Sequence, residues 1–321
     1  MITQILLLLA GLALIVFGAD WLVDGASAIA RKVGISEFVI GLTIVGFGTS
    51  CPELVVSLTG AFAGNADISV GNVVGSNIFN TLLILGLTAL IMPVGVTLEN
   101  KRRDIPVTLL VTFLLIALGM GRVFAGMSET DGLSRIEGAV FLVLFAAYMF
   151  MCFKFDKGTE DDGEEDGKKI NNIWVAILLV IAGLCGLIFG GDLFVDSATA
   201  IAKMLGVSDK FIAITVLAGG TSLPELATCI VAAAKKKGQL ALGNILGSNV
   251  FNILLILGCS AVVTPLSFAG MDIVDMIALL GSAVLVWMSS YTFKKDRIDR
   301  YEGAIFLLCF IGYYIYLFMK L

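Results

Sequence analysis

The chain has no histidine in 321 residues. That removes the commonest proton relay and the commonest transition-metal ligand. Charge is scarce as well: only 15% of residues are Asp, Glu, Lys or Arg, and prolines number five. The six cysteines (Cys51, Cys152, Cys185, Cys229, Cys259, Cys309) fall singly in or at the ends of apolar runs. They show no metal spacing and no disulfide pattern, and read as small packing residues. Cys51 stands apart, because it lies inside a motif described below. A membrane-embedded enzyme would need a histidine cluster, a Cys/His pair or paired aspartates at bilayer depth, and none is present. No stretch between apolar runs is long enough for a soluble domain. Nothing points to a nucleic acid or a protein partner, and no cofactor is expected.

Apolar residues make up 58% of the chain. Runs of about 20 residues, the length that crosses a bilayer, recur at roughly 3–29, 38–62, 68–92, 105–121, 133–153, 173–202, 211–234, 240–263, 273–292 and 301–319. The first has no basic residue ahead of it and no small-residue cleavage pattern, so it reads as a retained span. With the N-terminus outside, 16 of the 21 Lys and Arg residues fall at cytoplasmic ends and loops and 5 on the other side. This positive-inside bias predicts ten spans with both termini outside the cytoplasm, in an integral plasma (inner) membrane.

One hexapeptide occurs twice. Gly48-Thr49-Ser50-Cys51-Pro52-Glu53 and Gly220-Thr221-Ser222-Leu223-Pro224-Glu225 lie 172 residues apart, each inside an apolar span. A charge at bilayer depth costs about 3 kcal/mol even on lenient insertion scales. Proline removes a backbone donor and disturbs the helix. Freed carbonyls, two hydroxyls and a carboxylate are hard oxygen ligands that suit Na+ or Ca2+. Around the motif, residues 18–93 align with 190–265 without a gap, with 33 identities in 76 positions. Five spans separate the copies, so the second must enter the membrane from the opposite side, an inverted-topology repeat. The fold class predicted is an all-α polytopic membrane protein of ten transmembrane helices in two inverted-topology five-helix repeats. The halves are 1–153 and 173–321, joined by a charged linker at 154–172.

The third and eighth spans open with Gly71-Asn72-Val73-Val74-Gly75-Ser76-Asn77-Ile78-Phe79-Asn80 and Gly243-Asn244-Ile245-Leu246-Gly247-Ser248-Asn249-Val250-Phe251-Asn252. Asn72, Ser76 and Asn80 form a stripe of i, i+4 spacing, as do Asn244, Ser248 and Asn252. Such stripes act as interhelical hydrogen-bond glue or as ligands, and their recurrence beside each hexapeptide favours ligands. Asp20 and Asp24, matched by Asp192 and Asp196, share a helix face. They mark the aqueous end of a long helix or line an approach that gathers cations. Glu137 and Glu302 sit in related stretches near the starts of the fifth and tenth spans, offset by 165 residues. The acidic linker around 160–166 reads as a solvated connection; it lacks the spaced ligands of an EF-hand loop.

Together these motifs resemble the two alpha-repeats of the sodium/calcium exchanger (cation/calcium antiporter) superfamily, in a prokaryotic-type member. The resemblance is strong over the repeats and extends to the other spans by topology. It implies ions bound between the second, third, seventh and eighth helices. The implied ligands are the carboxylates of Glu53 and Glu225 and the hydroxyls of Thr49, Ser50, Ser76, Thr221, Ser222 and Ser248. The amides of Asn80 and Asn252 and carbonyls of Gly46 and Ala218 complete the set. Some relatives, including K+-dependent exchangers, have aspartate where this chain has Asn252, so the cage holds two strong charges rather than three. The implied function is a secondary active antiporter, not an enzyme, with Na+ and Ca2+ as partners within a lipid bilayer. An H+/Ca2+ or K+-dependent Na+/Ca2+ exchanger using the same glutamates is the alternative.

Overall fold

The computed structural model describes all residues except 65, 125–131, 157, 159–169, 207–217, 293–295 and 321; the side chains of 66, 67, 122–124 and 218 are likewise outside the description. Most acids of the predicted linker, and residues 211–217 of the predicted seventh span, therefore lie outside the described residues. What is described is almost wholly helical: α1 (Ile2–Val33), α2 (Glu37–Thr49), α3 (Cys51–Phe62), α4 (Ile68–Ile91), α5 (Asn100–Gly121), α6 (Arg135–Phe155), α7 (Ile173–Met204), α8 (Leu223–Ala234), α9 (Gly238–Val263), α10 (Ile273–Ser289) and α11 (Arg300–Lys320). Seven of these are long and apolar enough to cross a membrane, or eight if α2 and α3, bent by 47°, make one span. The α8 helix has 12 residues and α10 has 17. At 1.5 Å per residue α10 is about 26 Å long, short of the roughly 30 Å hydrocarbon core.

The ends of these helices follow from local chemistry. Gly34 stops α1 in the left-handed conformation (φ 77°), and its N–H reaches the Ala30 carbonyl at 2.9 Å, the turn that glycine makes without strain. Asn172 starts α7 by accepting the Trp174 N–H at 2.9 Å. Glu137 and Glu302 reach back to the N–H groups of Ser134 (2.7 Å) and Asp299 (2.9 Å). These two acids, conspicuous in the sequence, sit at the third position of α6 and α11 and cap the helix start; in α6 the Ser134 hydroxyl accepts the Glu137 N–H at 3.4 Å in return, completing a capping box.

The described residues form two compact units, Met1–Pro52 with Asp156–Asn244, and Glu53–Phe155 with Ile245–Leu321. Each draws on both sequence halves, because helices of one half pack on helices of the other. In the first unit α1 and α7 touch along their length. A Cβ on Gly11 would meet the Gly190 carbonyl oxygen at 2.9 Å, on Gly18 the Gly183 oxygen at 2.8 Å, and on Gly25 the Ala176 oxygen at 2.7 Å. Rising numbers on α1 meet falling numbers on α7, so these two helices run antiparallel. Small residues at seven-residue spacing bring the backbones into contact. The α2 helix and the start of α9 also meet backbone to backbone: Gly41 lies against the Leu240 carbonyl and Gly243 against that of Phe38.

In the second unit α4 packs on α11 through Gly86 and Gly303, and α9 packs on α6 through Gly258 and Gly138. Two short antiparallel pairs complete it: β1 (Val94–Gly95) with β4 (Arg297–Ile298), and β2 (Gly132–Leu133) with β3 (Leu266–Ser267). Val94 faces Ile298, and Leu266 faces Leu133. By the offsets of 172 and 165 residues, the second pairing is the image of the first. The apolar windows of α4 and α9 are 72% and 83% buried, against 17–28% for α1, α6, α7 and α11. The helices that carry the Gly-Ser-Asn stripes are thus inside the protein, and the others turn apolar side chains such as Leu178, Phe189 and Leu308 outward.

Candidate functional site

The two hexapeptides fold alike. Ser50 (φ −85°, ψ 6°) and Ser222 (φ −90°, ψ 7°) both occupy the sparsely populated bridge region. Each interrupts the helix one residue before a new one begins. Pro52 and Pro224 lie in the first turn of α3 and α8, where a missing N–H costs nothing. Each proline starts a helix here, and the break falls on the serine two residues before it.

In the first unit the break of one copy meets the acid of the other. Ser50 Oγ donates to Glu225 Oε1 at 3.0 Å. The Thr49 hydroxyl lies 3.0 Å from the Val45 carbonyl and 3.2 Å from Asn244 Oδ1. Asn244 Nδ2 in turn donates to Cys229 Sγ at 3.3 Å. Glu225 is 1% exposed, and no Lys or Arg pairs with it among the described residues. Among the described residues its Oε2 has no hydrogen-bond donor, and the hydroxyl of Thr221 also lacks a partner. Ser222 is fully buried. The Gly46 carbonyl accepts the Ser50 N–H at 3.1 Å, and Ala218 opens the single helical turn Ala218–Gly220. Cys51, noted in the sequence, donates to the Phe47 carbonyl at 3.4 Å.

In the second unit Glu53 is 1% exposed, and its backbone carbonyl accepts Asn72 Nδ2 at 3.2 Å. Asn72 Nδ2 also donates to Ser57 Oγ at 3.1 Å. That is the image of the Asn244–Cys229 contact, since Ser57 and Cys229 occupy the same place in the two copies. Ser76, Asn80, Ser248 and Asn252 are all buried. Ser76 Oγ, both amide atoms of Asn80 and Oδ1 of Asn252 have no hydrogen-bond partner among the described residues. Asn80 and Asn252 are the second residues of π-helical segments, Phe79–Ile84 and Phe251–Ile256, a distortion that recurs at functional sites.

Buried polar groups are almost always paired. Among the described residues the partnerless ones include five that the two motifs single out: Ser76, Asn80, Thr221, Glu225 and Asn252. Sequence spacing did not single out Asn77, Asn249 and Thr81, whose side chains bond across the copies. The signal was available: Asn77 and Asn80, like Asn249 and Asn252, are three apart and share a face.

Apolar helices around a buried, oxygen-rich and acidic pair of motifs define an all-α membrane protein with polar groups suited to hard cations. Comparison with known proteins narrows the class. The family described as sodium/calcium exchanger protein matches residues 3–154 and 175–319. CaxA of Alkalimonas amylolytica is 39% identical over 99% of both chains. The sodium/calcium exchanger MaX1 of Methanosarcina acetivorans is 32% identical over 98% of both. A solved structure of the sodium-calcium exchanger NCX_Mj, soaked with zero Na+ and Ca2+, superposes with a TM-score of 0.84 at 34% identity, covering 98% of this chain and 99% of that one. The chain belongs to the sodium/calcium exchanger family.

Proposed function

We propose that this chain is a secondary active antiporter that exchanges Na+ for Ca2+ by alternating access, the ions competing for Glu53 and Glu225. One observation carries this reading. Glu225 is a fully buried carboxylate with one serine hydroxyl on Oε1 and no donor on Oε2 among the described residues. Leaving such a charge bare costs several kcal/mol, so a cation or a proton must accompany it. The proposed ligands are those of the motifs: Glu53, Glu225, Thr49, Ser50, Ser76, Thr221, Ser222, Ser248, Asn80 and Asn252, with the carbonyls of Gly46 and Ala218. Two carboxylates balance one Ca2+ or two Na+. Because the pair cannot be buried empty, release of one ion awaits loading of the other, which couples the fluxes.

The architecture proposed is ten spans in two inverted five-helix repeats. The antiparallel run of α1 and α7, and the mirrored β1–β4 and β2–β3 pairings, support it. The membrane proposed is the plasma membrane, with both termini outside. A tenfold Na+ gradient supplies about 1.4 kcal/mol per ion, and each net charge moved across 100 mV adds about 2.3 kcal/mol. Several Na+ moving inward therefore suffice to drive Ca2+ out.

The test is radioactive Ca2+ uptake into proteoliposomes under imposed Na+, K+ and pH gradients. A Na+ gradient at fixed pH should drive uptake, and Glu53→Gln or Glu225→Gln should cut it by about 100-fold or more, the loss of roughly 3 kcal/mol that breaking a buried charge pair brings. Uptake that answers to pH and ignores Na+ would turn the reading into H+/Ca2+ exchange on the same glutamates. Uptake untouched by both substitutions would sink it.

A further inference from the structure

An asparagine side chain presents an oxygen at one end and an NH2 group at the other. A ligand amide serves a cation only if the oxygen is turned toward it. In this protein one of the two site amides has its direction dictated by a chain of hydrogen bonds. The chain starts at the backbone carbonyl of Asn249, a group that can only accept. Asn77 Nδ2 donates to it at 3.1 Å, so the other end of Asn77 is necessarily Oδ1. Asn252 Nδ2 donates to that oxygen at 2.9 Å. The free end of Asn252 is therefore Oδ1, which is buried and without a donor among the described residues. Turning Asn252 over would set its oxygen against Asn77 Oδ1. Turning Asn77 over would set its oxygen against a backbone carbonyl. Each reversal is blocked by the one before it.

The internal repeat provides a control. Its image would run from Asn249 Nδ2 to the Asn77 carbonyl, and from Asn80 Nδ2 to Asn249 Oδ1. That chain is not formed. Asn249 Nδ2 donates instead to the Thr81 hydroxyl at 2.8 Å. The other copy has Ile253 at the place of Thr81 and offers no such acceptor. Asn249 Oδ1 and both amide atoms of Asn80 are left without partners among the described residues. One residue pair, Thr81 against Ile253, leaves one site amide oriented and the other not.

We infer that Asn77 is a positioning residue that holds the Asn252 amide with its oxygen, not its NH2 group, presented to the transported cation. This rests on the reading of Asn252 as a ligand. Without Asn77 the Asn252 amide turns freely and spends part of its time with the NH2 group toward the ion.

The experiment measures Na+-driven Ca2+ exchange in proteoliposomes, separating the KM for Ca2+ from the maximal rate, with thermal stability of the detergent-purified protein alongside. Asn77→Ala should raise the KM for Ca2+ about tenfold, or 1.4 kcal/mol, while the maximal rate changes by less than about twofold; the loss is one of ion binding common to ground and transition states. Asn77→Leu, which keeps the branched skeleton of asparagine without its polar atoms, should do the same and keeps the test available should the alanine variant fold poorly. Asn252→Asp supplies the decisive background, because a carboxylate shows an oxygen whichever way it turns. In that background Asn77→Ala should shift the KM by less than about twofold, a coupling that a double-mutant cycle reads directly. The inference is overturned if neither Asn77 variant moves the KM, or if the shift is as large beside Asp at position 252 as beside Asn. Glu225→Gln run in parallel separates the two levels: full exchange in that variant removes the site itself, whereas lost exchange there with unmoved Asn77 variants removes only the positioning role.

Discussion

Asp20 and Asp24 on α1, and Asp192 and Asp196 on α7, hold the same places in two copies of one sequence, yet among the described residues only the first pair is tied down. Lys235 Nζ lies 2.6 Å from Asp20 Oδ1 and 2.5 Å from Asp24 Oδ1, and it donates to the Asp20 carbonyl at 3.2 Å. The place of Lys235 in the other copy is taken by Ala63. Asp192 and Asp196 are exposed and make no ion pair among the described residues. The turn that carries the lysine is nevertheless preserved: Lys236 (φ 59°) and Gly64 (φ 78°) are equivalent and both left-handed. The backbone turn is the same in both copies, while the charge it carries differs. Lys235 makes the first pair a tether between α1 and the end of α8. The second pair stays exposed.

The largest expected effect tests where the copies are equal. The Gly11–Gly190 and Gly18–Gly183 contacts are images of each other, because Gly18 and Gly190 are equivalent positions. A Cβ on Gly18 would lie 2.8 Å from both the Gly183 oxygen and the Leu187 nitrogen; on Gly190 it would lie 2.8 Å from Leu14 Cβ and 2.9 Å from the Gly11 oxygen. Backbone atoms cannot swing aside, so the two helices must separate. Gly18→Val and Gly190→Val should each cost about 3 kcal/mol or more and yield little monodisperse protein on size exclusion in detergent. Gly191→Ala, one position along, where a Cβ meets open space, should be neutral or slightly stabilising. If one valine variant survives and its twin does not, the equivalence fails.

A smaller effect tests where the copies differ. Lys235 and its acids are only partly buried, so the tether should contribute about 1 kcal/mol or less and weaken with salt. Lys235→Ala should lower the melting temperature modestly, and Asp24→Asn should add little on top of it, since both remove one interaction. Asp192→Asn with Asp196→Asn should stay within about 0.5 kcal/mol of the parent. Equal losses from the two acid pairs would show that the tether is worth nothing.

The contrast also shows what could be read before folding. The glutamates, the broken helices and the stripes were legible because duplication at one offset makes coincidence improbable. Glu137 and Glu302 were legible as related positions, but their capping role depends on which residue begins the helix. The glycine spacing on α1 was present in the sequence; its meaning needed the equal spacing on α7 and an antiparallel approach. Lys235 is 211 residues from Asp24, and no local pattern announces such a partner. The direction of an amide is invisible in a letter N. The two compact units do not follow the sequence halves, since contact runs between copies as much as within them.

The smallest effect concerns the starts of α5 and α10. A tyrosine from the last helix of each half reaches an acid there: Tyr148 donates to Asp104 Oδ1 at 3.3 Å and Tyr313 to Asp275 Oδ1 at 2.8 Å. Among the described residues, only in the second half does the last helix add another link. Asp272, just ahead of α10, accepts Lys320 Nζ at 2.6 Å and the Tyr316 hydroxyl at 2.5 Å; the equivalent places on α6 are Phe155 and Met151. Hydrogen bonds from Lys320 and then Tyr316 hold the Asp272 carboxyl down at about 2, against an ordinary 3.8. A folded-state value below the unfolded one means that this group stabilises the protein above the ordinary carboxylate range, and that its contribution fades as pH falls through about 2. Melting temperature measured from pH 5 down to pH 2 should therefore carry a small acid-side decline that Lys320→Ala flattens, with the parent and variant curves converging at the acid end. Curves that instead stay parallel across that range would show that the link does no work, and the two halves would then be alike at this end too.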